Sequence, residues 1–129
     1  MAVALKKKTK AKEKLYAKGR LKTSEMNLTE KAFVDHLEAL RAQGKVARWW
    51  FEAIRLRVAP RACSYTPDFL VLRPDGQLDL VEVKGSKRIF ADDAKVKTKF
   101  VAGEYPFAVF VAYPKAKKEG GGWLIEQWG

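Results

Sequence analysis

Apolar side chains recur every three or four residues between residues 28 and 43, which is the spacing of one face of an α-helix. The members of this face are Leu28, Phe33, Val34, Leu37 and Leu40. Asn27 and Glu30 stand at the N-terminal end with the spacing of a capping box, and Gly44 follows as a glycine commonly does after a helix. The pattern therefore predicts an amphipathic helix over residues 28–43.

A second pattern begins beyond this helix. Residues 46–59 are rich in aromatic and branched side chains, and Arg55 and Arg57 alternate with apolar neighbours. This alternation predicts a strand whose outer face is basic. Residues 60–64 begin with a proline and are predicted to form a turn or loop.

Two further strands are predicted on either side of a short turn. Residues 65–73 include a continuous apolar run typical of a strand buried on both faces, and residues 77–84 form the return strand. Between them, Pro74, Asp75 and Gly76 have the composition of a three-residue loop, a type I turn followed by a glycine in a left-handed conformation. The segment is therefore predicted to be an antiparallel hairpin.

The last third of the chain predicts one helix and two strands. Residues 92–103 carry acidic residues at the start and lysines further along, the distribution that a helix dipole favours. Residues 107–113 predict a continuous apolar strand, residues 114–122 a mobile basic loop, and residues 123–127 a short final strand. The predicted fold class is α/β (α+β), with a mixed β-sheet of about five strands flanked by helices.

The predicted hairpin loop brings two carboxylates together. If Arg73 faces Gln77, residues whose numbers sum to 150 lie opposite one another, so that Asp68 lies across from Glu82. Facing side chains have Cβ atoms about 5 Å apart, where like charges are destabilising unless a cation neutralises them. Lys84 lies two residues beyond Glu82 and points to the same face. Such oxygen ligands suit Mg²⁺ or Mn²⁺, although a two-residue loop would offset the two acids.

Composition narrows the possible chemistry. The chain has 129 residues, with one cysteine (Cys63) and one histidine (His36). These counts exclude a disulfide framework and a Cys/His zinc site, and a Ser-His-Asp triad could use only His36. No stretch of about 18 apolar residues occurs, and the lysine-rich start lacks the apolar segment of a signal peptide. We therefore expect one domain, a cytoplasmic location and no membrane partner.

The positive charge is concentrated near the N-terminus. The net charge is +11, of which residues 1–25, with nine basic and two acidic side chains, carry +7. We expect residues 1–25 to form a flexible basic arm that tracks nucleic acid, the alternative being a solubilising tail, and residues 26–129 to form the folded domain.

The residues of the predicted hairpin resemble the PD-(D/E)xK nuclease superfamily. Pro67-Asp68 and, 14 residues after the aspartate, Glu82-Val83-Lys84 match its signature, on adjacent predicted strands with a helix before and after. The stretch from Asn27 to about Pro114 is similar to small phage-encoded proteins of this superfamily. Size, layout and basicity are similar to those of Holliday-junction resolvases, although the junction specificity is an analogy at the level of the fold.

The resemblance implies a restriction-endonuclease-like core with the element order αβββαβ. Asp68, Glu82 and the backbone carbonyl of Val83 would bind Mg²⁺, for which Mn²⁺ would substitute. Lys84 would position or activate the attacking water, and Glu30 would complete or orient the metal shell. Glu30 also has a simpler interpretation, as the capping residue of the helix alone. Cleavage would leave a 5′-phosphate and a 3′-hydroxyl.

We therefore expect a Mg²⁺-dependent, structure-selective DNA endonuclease, a homodimer that cuts branched DNA such as a Holliday junction at two symmetric positions in a bacterial host cell. The alternatives are a nickase or duplex endonuclease without junction preference, a non-catalytic basic nucleic-acid-binding protein, and an RNA nuclease. The residues expected to contact DNA are Arg55, Arg57, Lys95, Lys97 and, in the arm, Lys7, Lys8 and Lys10.

We predict that deletion of residues 1–22 weakens DNA binding and makes it less dependent on salt, because a basic arm releases counterions when it contacts phosphates. The measurement is the slope of the binding constant against salt concentration on a logarithmic scale. An unchanged slope would contradict the proposed role of the arm.

Overall fold

The computed structural model describes residues 25–61, 63–86 and 92–129. The predicted basic arm, with Lys7, Lys8 and Lys10, therefore lies outside the described residues apart from Glu25. Among the residues that are described, no helix has both the length and the apolar character needed to cross a membrane.

Two α-helices and seven strands occur in the described part of the chain. The helices are α1 (Leu28–Ala42) and α2 (Asp92–Glu104). The strands are β1 (Arg48–Phe51), β2 (Leu56–Ala59), β3 (Cys63–Tyr65), β4 (Phe69–Leu72), β5 (Leu78–Val83), β6 (Ala108–Pro114) and β7 (Trp123–Gln127). A 3₁₀-helix, Lys117–Glu119, lies within the predicted loop between β6 and β7.

Five of the strands form one mixed sheet in the order β1-β4-β5-β6-β7. β5 and β6 are parallel, and the other neighbours are antiparallel. A parallel pair needs a crossover connection, and α2 lies in the connection between β5 and β6. β2 and β3 pair with each other in a second, two-stranded sheet, called the small sheet below. The predicted α+β class and the mixed five-stranded sheet are confirmed.

The prediction of one strand over residues 46–59 is wrong, because the segment is divided between the two sheets. Glu52 lies at the division with a positive φ of 47°, and its N–H donates to the carbonyl oxygen of Asp68 at 2.8 Å. A regular strand cannot continue through a left-handed residue, so the chain leaves the main sheet there. Arg57 belongs to β2, and Arg55 directly precedes it.

The predicted boundaries around the following turn also need correction. Cys63 and Ser64, predicted to lie in a loop, belong to β3, and Arg61 has a positive φ of 62° in the turn before it. The predicted strand over residues 65–73 is divided, since β3 and β4 belong to different sheets. Strands this short depend on pairing and packing with distant residues, which the local pattern of side chains does not reveal.

The main sheet is covered on both faces. α1 packs against the face that contains Val81 and Val83. α2 and the small sheet cover the opposite face, around Leu80. Because successive residues of a strand point to opposite faces, Glu82 points toward α2 and the small sheet.

The predicted caps of α1 are both present. Glu30 N–H donates to the side-chain oxygen of Asn27 at 2.8 Å, and Asn27 N–H donates to Glu30 Oε1 at 2.9 Å, which completes the capping box. At the other end Gly44 has a φ of 75°, and Lys45 N–H donates to the carbonyl oxygen of Leu40 at 2.9 Å. This is the bonding pattern of a Schellman motif, which requires a left-handed residue after the helix.

The predicted three-residue hairpin loop is confirmed. Arg73 N–H donates to the carbonyl oxygen of Gln77 at 2.8 Å, and Gly76 has a φ of 90°. In the two strands on either side of the loop, Phe69 pairs with Val81, so the numbers of paired residues sum to 150, as predicted. The loop therefore sets the register of every pair along β4 and β5.

Asp79 is a buried acid on β5, and only one of its two carboxylate oxygens has a partner among the described residues. It forms an ion pair with Arg73, yet its Oδ1 has no hydrogen-bond partner among the described residues. Burial raises the pKa of Asp79 above its ordinary value in spite of the nearby guanidinium. The folded state therefore holds this proton more tightly than the unfolded chain, so this group's contribution to stability falls as the pH rises from the unfolded pKa through the folded pKa.

We predict that Asp79→Asn becomes steadily less destabilising, relative to the native chain, as the pH rises above the ordinary pKa of an aspartate, because the variant has no carboxylate to ionise in the core. Chemical denaturation at several pH values measures the difference. Asp35→Asn, which removes an exposed acid from α1, is the matched control. A difference for Asp79→Asn that stays constant or grows with pH would contradict the prediction.

Candidate functional site

The β4–β5 register places two carboxylates side by side at the end of the hairpin opposite its loop. Asp68 directly precedes β4, and Glu82 directly follows Val81, the partner of Phe69. Both acids are almost completely buried, with exposed fractions of 2% for Asp68 and 1% for Glu82. Facing residues of antiparallel strands have Cβ atoms about 5 Å apart, so the two carboxylates are neighbours.

Each carboxylate is held by a hydrogen bond. Val83 N–H donates to Asp68 Oδ2 at 2.8 Å, and the Tyr65 hydroxyl donates to Glu82 Oε1 at 2.8 Å. The other carboxylate oxygen, Glu82 Oε2, lies 3.3 Å from Lys84 Nζ. The structure thus brings together Asp68, Glu82 and Lys84, the three residues for which the sequence predicts a common face.

The charges of this cluster favour a cation. Two carboxylates and one ammonium group give the three side chains a net charge of −1 when all are ionised. Taking carboxylates out of water is costly unless opposite charge and hydrogen bonds compensate. The side chain of Lys84 is 23% exposed and that of Glu82 only 1%, so the lysine is the member of this pair that reaches solvent.

Tyr65 is a site residue that the sequence analysis did not single out. It comes from β3 in the small sheet, and it reaches Glu82 across the face covered by α2. Burial, followed by the negative charge of Glu82, raises the pKa of the Tyr65 hydroxyl far above its ordinary range. The hydroxyl therefore stays protonated and donates to Glu82. The only local signal is its position just before the Pro-Asp pair, which does not indicate this contact.

Glu30 lies in the capping box, where its Oε1 accepts from Asn27 N–H, and it is buried, with 8% exposed. α1 packs on the face of Val81 and Val83, whereas Glu82 points to the other face. Within the described residues, no group of three or more His, Cys, Asp or Glu side chains is arranged to hold a metal ion. The capping role of Glu30 is confirmed, and its role at a metal remains a prediction.

The donor set at the hairpin fits a hard divalent cation. Asp68 and Glu82 supply neighbouring carboxylate oxygens from paired strands, and Mg²⁺ binds proteins through one or two carboxylates while it keeps several waters. Val83, predicted to contribute its carbonyl oxygen, lies between Glu82 and Lys84 at the end of β5. Its N–H already holds Asp68, so the backbone is anchored to the first of the two acids.

The predicted DNA-contact residues of the folded domain lie on the elements that cover the Glu82 face. Arg55 and Arg57 are exposed at the start of the small sheet, and Lys95 and Lys97 are half-buried on α2. α2 contacts both strands of the small sheet and β6. These four side chains therefore belong to the same side of the main sheet as the carboxylate pair.

The only histidine of the chain lies elsewhere. The His36 ring is 5.4 Å from that of Phe33 and 6.4 Å from that of Trp123, between ring centroids. His36 is half-buried, and burial lowers its pKa. His36 therefore does not belong to the cluster at the hairpin.

We predict that Tyr65→Phe lowers the free energy of unfolding by about 1–3 kcal/mol, because Glu82 Oε1 loses its donor in a buried position. Thermal or chemical denaturation measures the loss. Tyr105→Phe is the control, since its hydroxyl donates to the Arg57 carbonyl oxygen at 2.6 Å in an exposed bond. Equal effects of the two substitutions would show that the Tyr65 bond has no special importance.

No protein-family model, no curated protein and no solved structure matches this chain.

Proposed function

We propose that this chain is a Mg²⁺-dependent DNA endonuclease of the PD-(D/E)xK type that cuts branched DNA. One observation carries the proposal: Asp68 and Glu82 are both buried one position beyond the Phe69–Val81 pair of a hairpin that has the predicted register, and Lys84 Nζ lies 3.3 Å from Glu82 Oε2. A protein that only binds nucleic acid gains nothing from two buried carboxylates, because they repel phosphate. Two carboxylates that can hold a divalent cation, with an ammonium group beside them, suit the hydrolysis of phosphate esters.

The proposed reaction uses the side chains in distinct roles. Asp68, Glu82 and the Val83 carbonyl would hold the cation, which supplies Lewis-acid stabilisation of the charge that develops on the phosphate. The Lys84 ammonium group would orient the attacking water and stabilise the same charge. The water oxygen forms a new bond to phosphorus and loses a proton, while the bond from phosphorus to O3′ breaks and O3′ takes up a proton. The products are a 5′-phosphate and a 3′-hydroxyl.

The element order supports a restriction-endonuclease-like core. When only the strands of the main sheet are counted, the chain runs α1-β1-β4-β5-α2-β6-β7, which is the order αβββαβ followed by one further strand. The two parts of the signature lie on β5 and directly before β4, at the centre of that order. Positions of this kind, on rigid strands held by packing, suit side chains that must keep a fixed geometry.

The charge distribution supports DNA as the substrate. Arg55, Arg57, Lys95 and Lys97 lie on the side of the sheet to which Glu82 points, and the N-terminal arm adds further positive charge. Branched DNA and a homodimer belong to the proposal because two symmetric nicks need two sites related by a two-fold axis. β7 is an edge strand that exposes Leu124 and Ile125, a surface that a second copy could cover.

We predict that the protein cuts a four-way junction in Mg²⁺ and is inactive in EDTA. Asp68→Asn and Glu82→Gln should each lower the cleavage rate by about 100-fold or more, because each removes a proposed ligand. Asp79→Asn, which removes a buried acid of β5 that points to the opposite face, is the matched control and should retain activity. Gel assays on labelled junction, fork, duplex and single-stranded substrates measure the rates.

The outcomes separate the alternatives. Cleavage that persists in EDTA, or full activity of Asp68→Asn, would contradict the metal site. Equal rates on junction and duplex would leave a nuclease and remove the junction specificity. Tight DNA binding without cleavage of any substrate, DNA or RNA, would indicate a non-catalytic binding protein.

A further inference from the structure

A pocket outside the carboxylate site lies on the small sheet. It has a volume of about 240 Å³ and is lined by Arg55, Arg57, Cys63 and Ser64. Arg57 lies directly opposite Ser64 in the β2–β3 register, so their side chains share one face. Arg55 lies two residues before Arg57 and points to that face as well. Cys63, next to Ser64 on β3, also lines the pocket.

The chemistry of the lining selects an anion. Two guanidinium groups line the pocket, no carboxylate is among the described residues that line it, and both arginines are exposed. Within the described residues, neither guanidinium forms an ion pair. Guanidinium groups bind phosphate oxygens through two parallel N–H donors, and the Ser64 hydroxyl is a further donor at the same place. The pocket therefore has the charge and the donors for a phosphate group, and its volume accommodates one.

The pocket and the carboxylate site are joined through β3. Ser64 and Tyr65 are consecutive residues of β3 and point to opposite faces, Ser64 into the pocket and Tyr65 toward Glu82. The other strand, β2, is anchored too, since the hydroxyl of Tyr105, which directly follows α2, donates to the carbonyl oxygen of Arg57 at 2.6 Å. A group bound in the pocket is therefore separated only by the small sheet from Tyr65, the residue that donates to Glu82.

We infer that the pocket of Arg55, Arg57, Cys63 and Ser64 binds one backbone phosphate of nucleic acid, away from the phosphate that is cut. Its function is to hold the strand in a fixed position relative to Asp68 and Glu82 across the small sheet. Phosphate binding follows from the pocket itself, and the positioning role rests on the proposed nuclease function. Free phosphate has the same chemistry, and the test below distinguishes the two sources.

Cys63 provides a specific probe because it is the only cysteine in the chain. We expect DNA to slow alkylation of Cys63 by the neutral reagent iodoacetamide in the full-length protein, in EDTA so that no cleavage occurs. With a short duplex at about ten times its Kd, the expected protection is about tenfold, since alkylation then reports the free fraction. Inorganic phosphate at the same concentration should protect far less, because it makes one contact where DNA makes many.

The arginine variants test the same inference by affinity. The double substitution Arg55→Gln/Arg57→Gln should abolish protection of Cys63 and reduce the salt slope of DNA binding by about 1, the value expected for one phosphate contact. Arg41→Gln, which removes an exposed arginine from α1, should change neither measurement. Ser64→Ala is a milder second variant, expected to weaken protection with no change of fold, and thermal denaturation checks that every variant is folded.

Each result decides one point. Unprotected Cys63, or an unchanged salt slope in the folded double variant, would overturn the phosphate pocket even if the protein cuts DNA. Equal protection by inorganic phosphate and by DNA would overturn the backbone phosphate in favour of a free-phosphate site. Protection that is lost in the arginine variant, in a protein that cleaves no DNA, would support the pocket and contradict the nuclease function.

Discussion

The three-residue turn between β4 and β5 is the constraint on which the candidate site depends. Its closing bond between Arg73 and Gln77 and the left-handed Gly76 set the strand register, and that register puts Asp68 opposite Glu82 at the far end. Side chains alternate between the faces of a strand, so a shift by one residue would offset the two acids. A feature of the turn therefore determines the chemistry at the other end of the hairpin.

Removing these two carboxylates from water costs free energy, and groups from the neighbouring elements offset part of that cost. The amide of Val83, the hydroxyl of Tyr65 and the ammonium group of Lys84 each compensate one carboxylate oxygen. Asp79, on the same strand, shows the effect of weaker compensation, because one of its oxygens lacks a hydrogen-bond partner within the described residues and burial raises its pKa. The Asp68–Glu82 pair therefore has more hydrogen-bonding and charged partners than Asp79 has.

The two faces of the main sheet have different roles. α1 covers the face of Val81 and Val83 with the apolar side of a capped, amphipathic helix. α2 and the small sheet cover the face to which Glu82 points, and they carry the arginines and lysines of the proposed DNA contacts. The small sheet lies between the carboxylate site and the arginine pocket, since Tyr65 donates to Glu82 on one side and Ser64 lines the pocket on the other.

The sequence by itself determined the features that depend on neighbours along the chain. The capping box of Asn27 and Glu30, the hairpin loop and its register are local, because each is closed by residues at most a few positions apart. Tertiary structure alone decided the division of residues 46–59 at Glu52, the small sheet and the approach of Tyr65 to Glu82. These features depend on contacts between residues distant in sequence, and a short apolar run has the same pattern whichever sheet it joins.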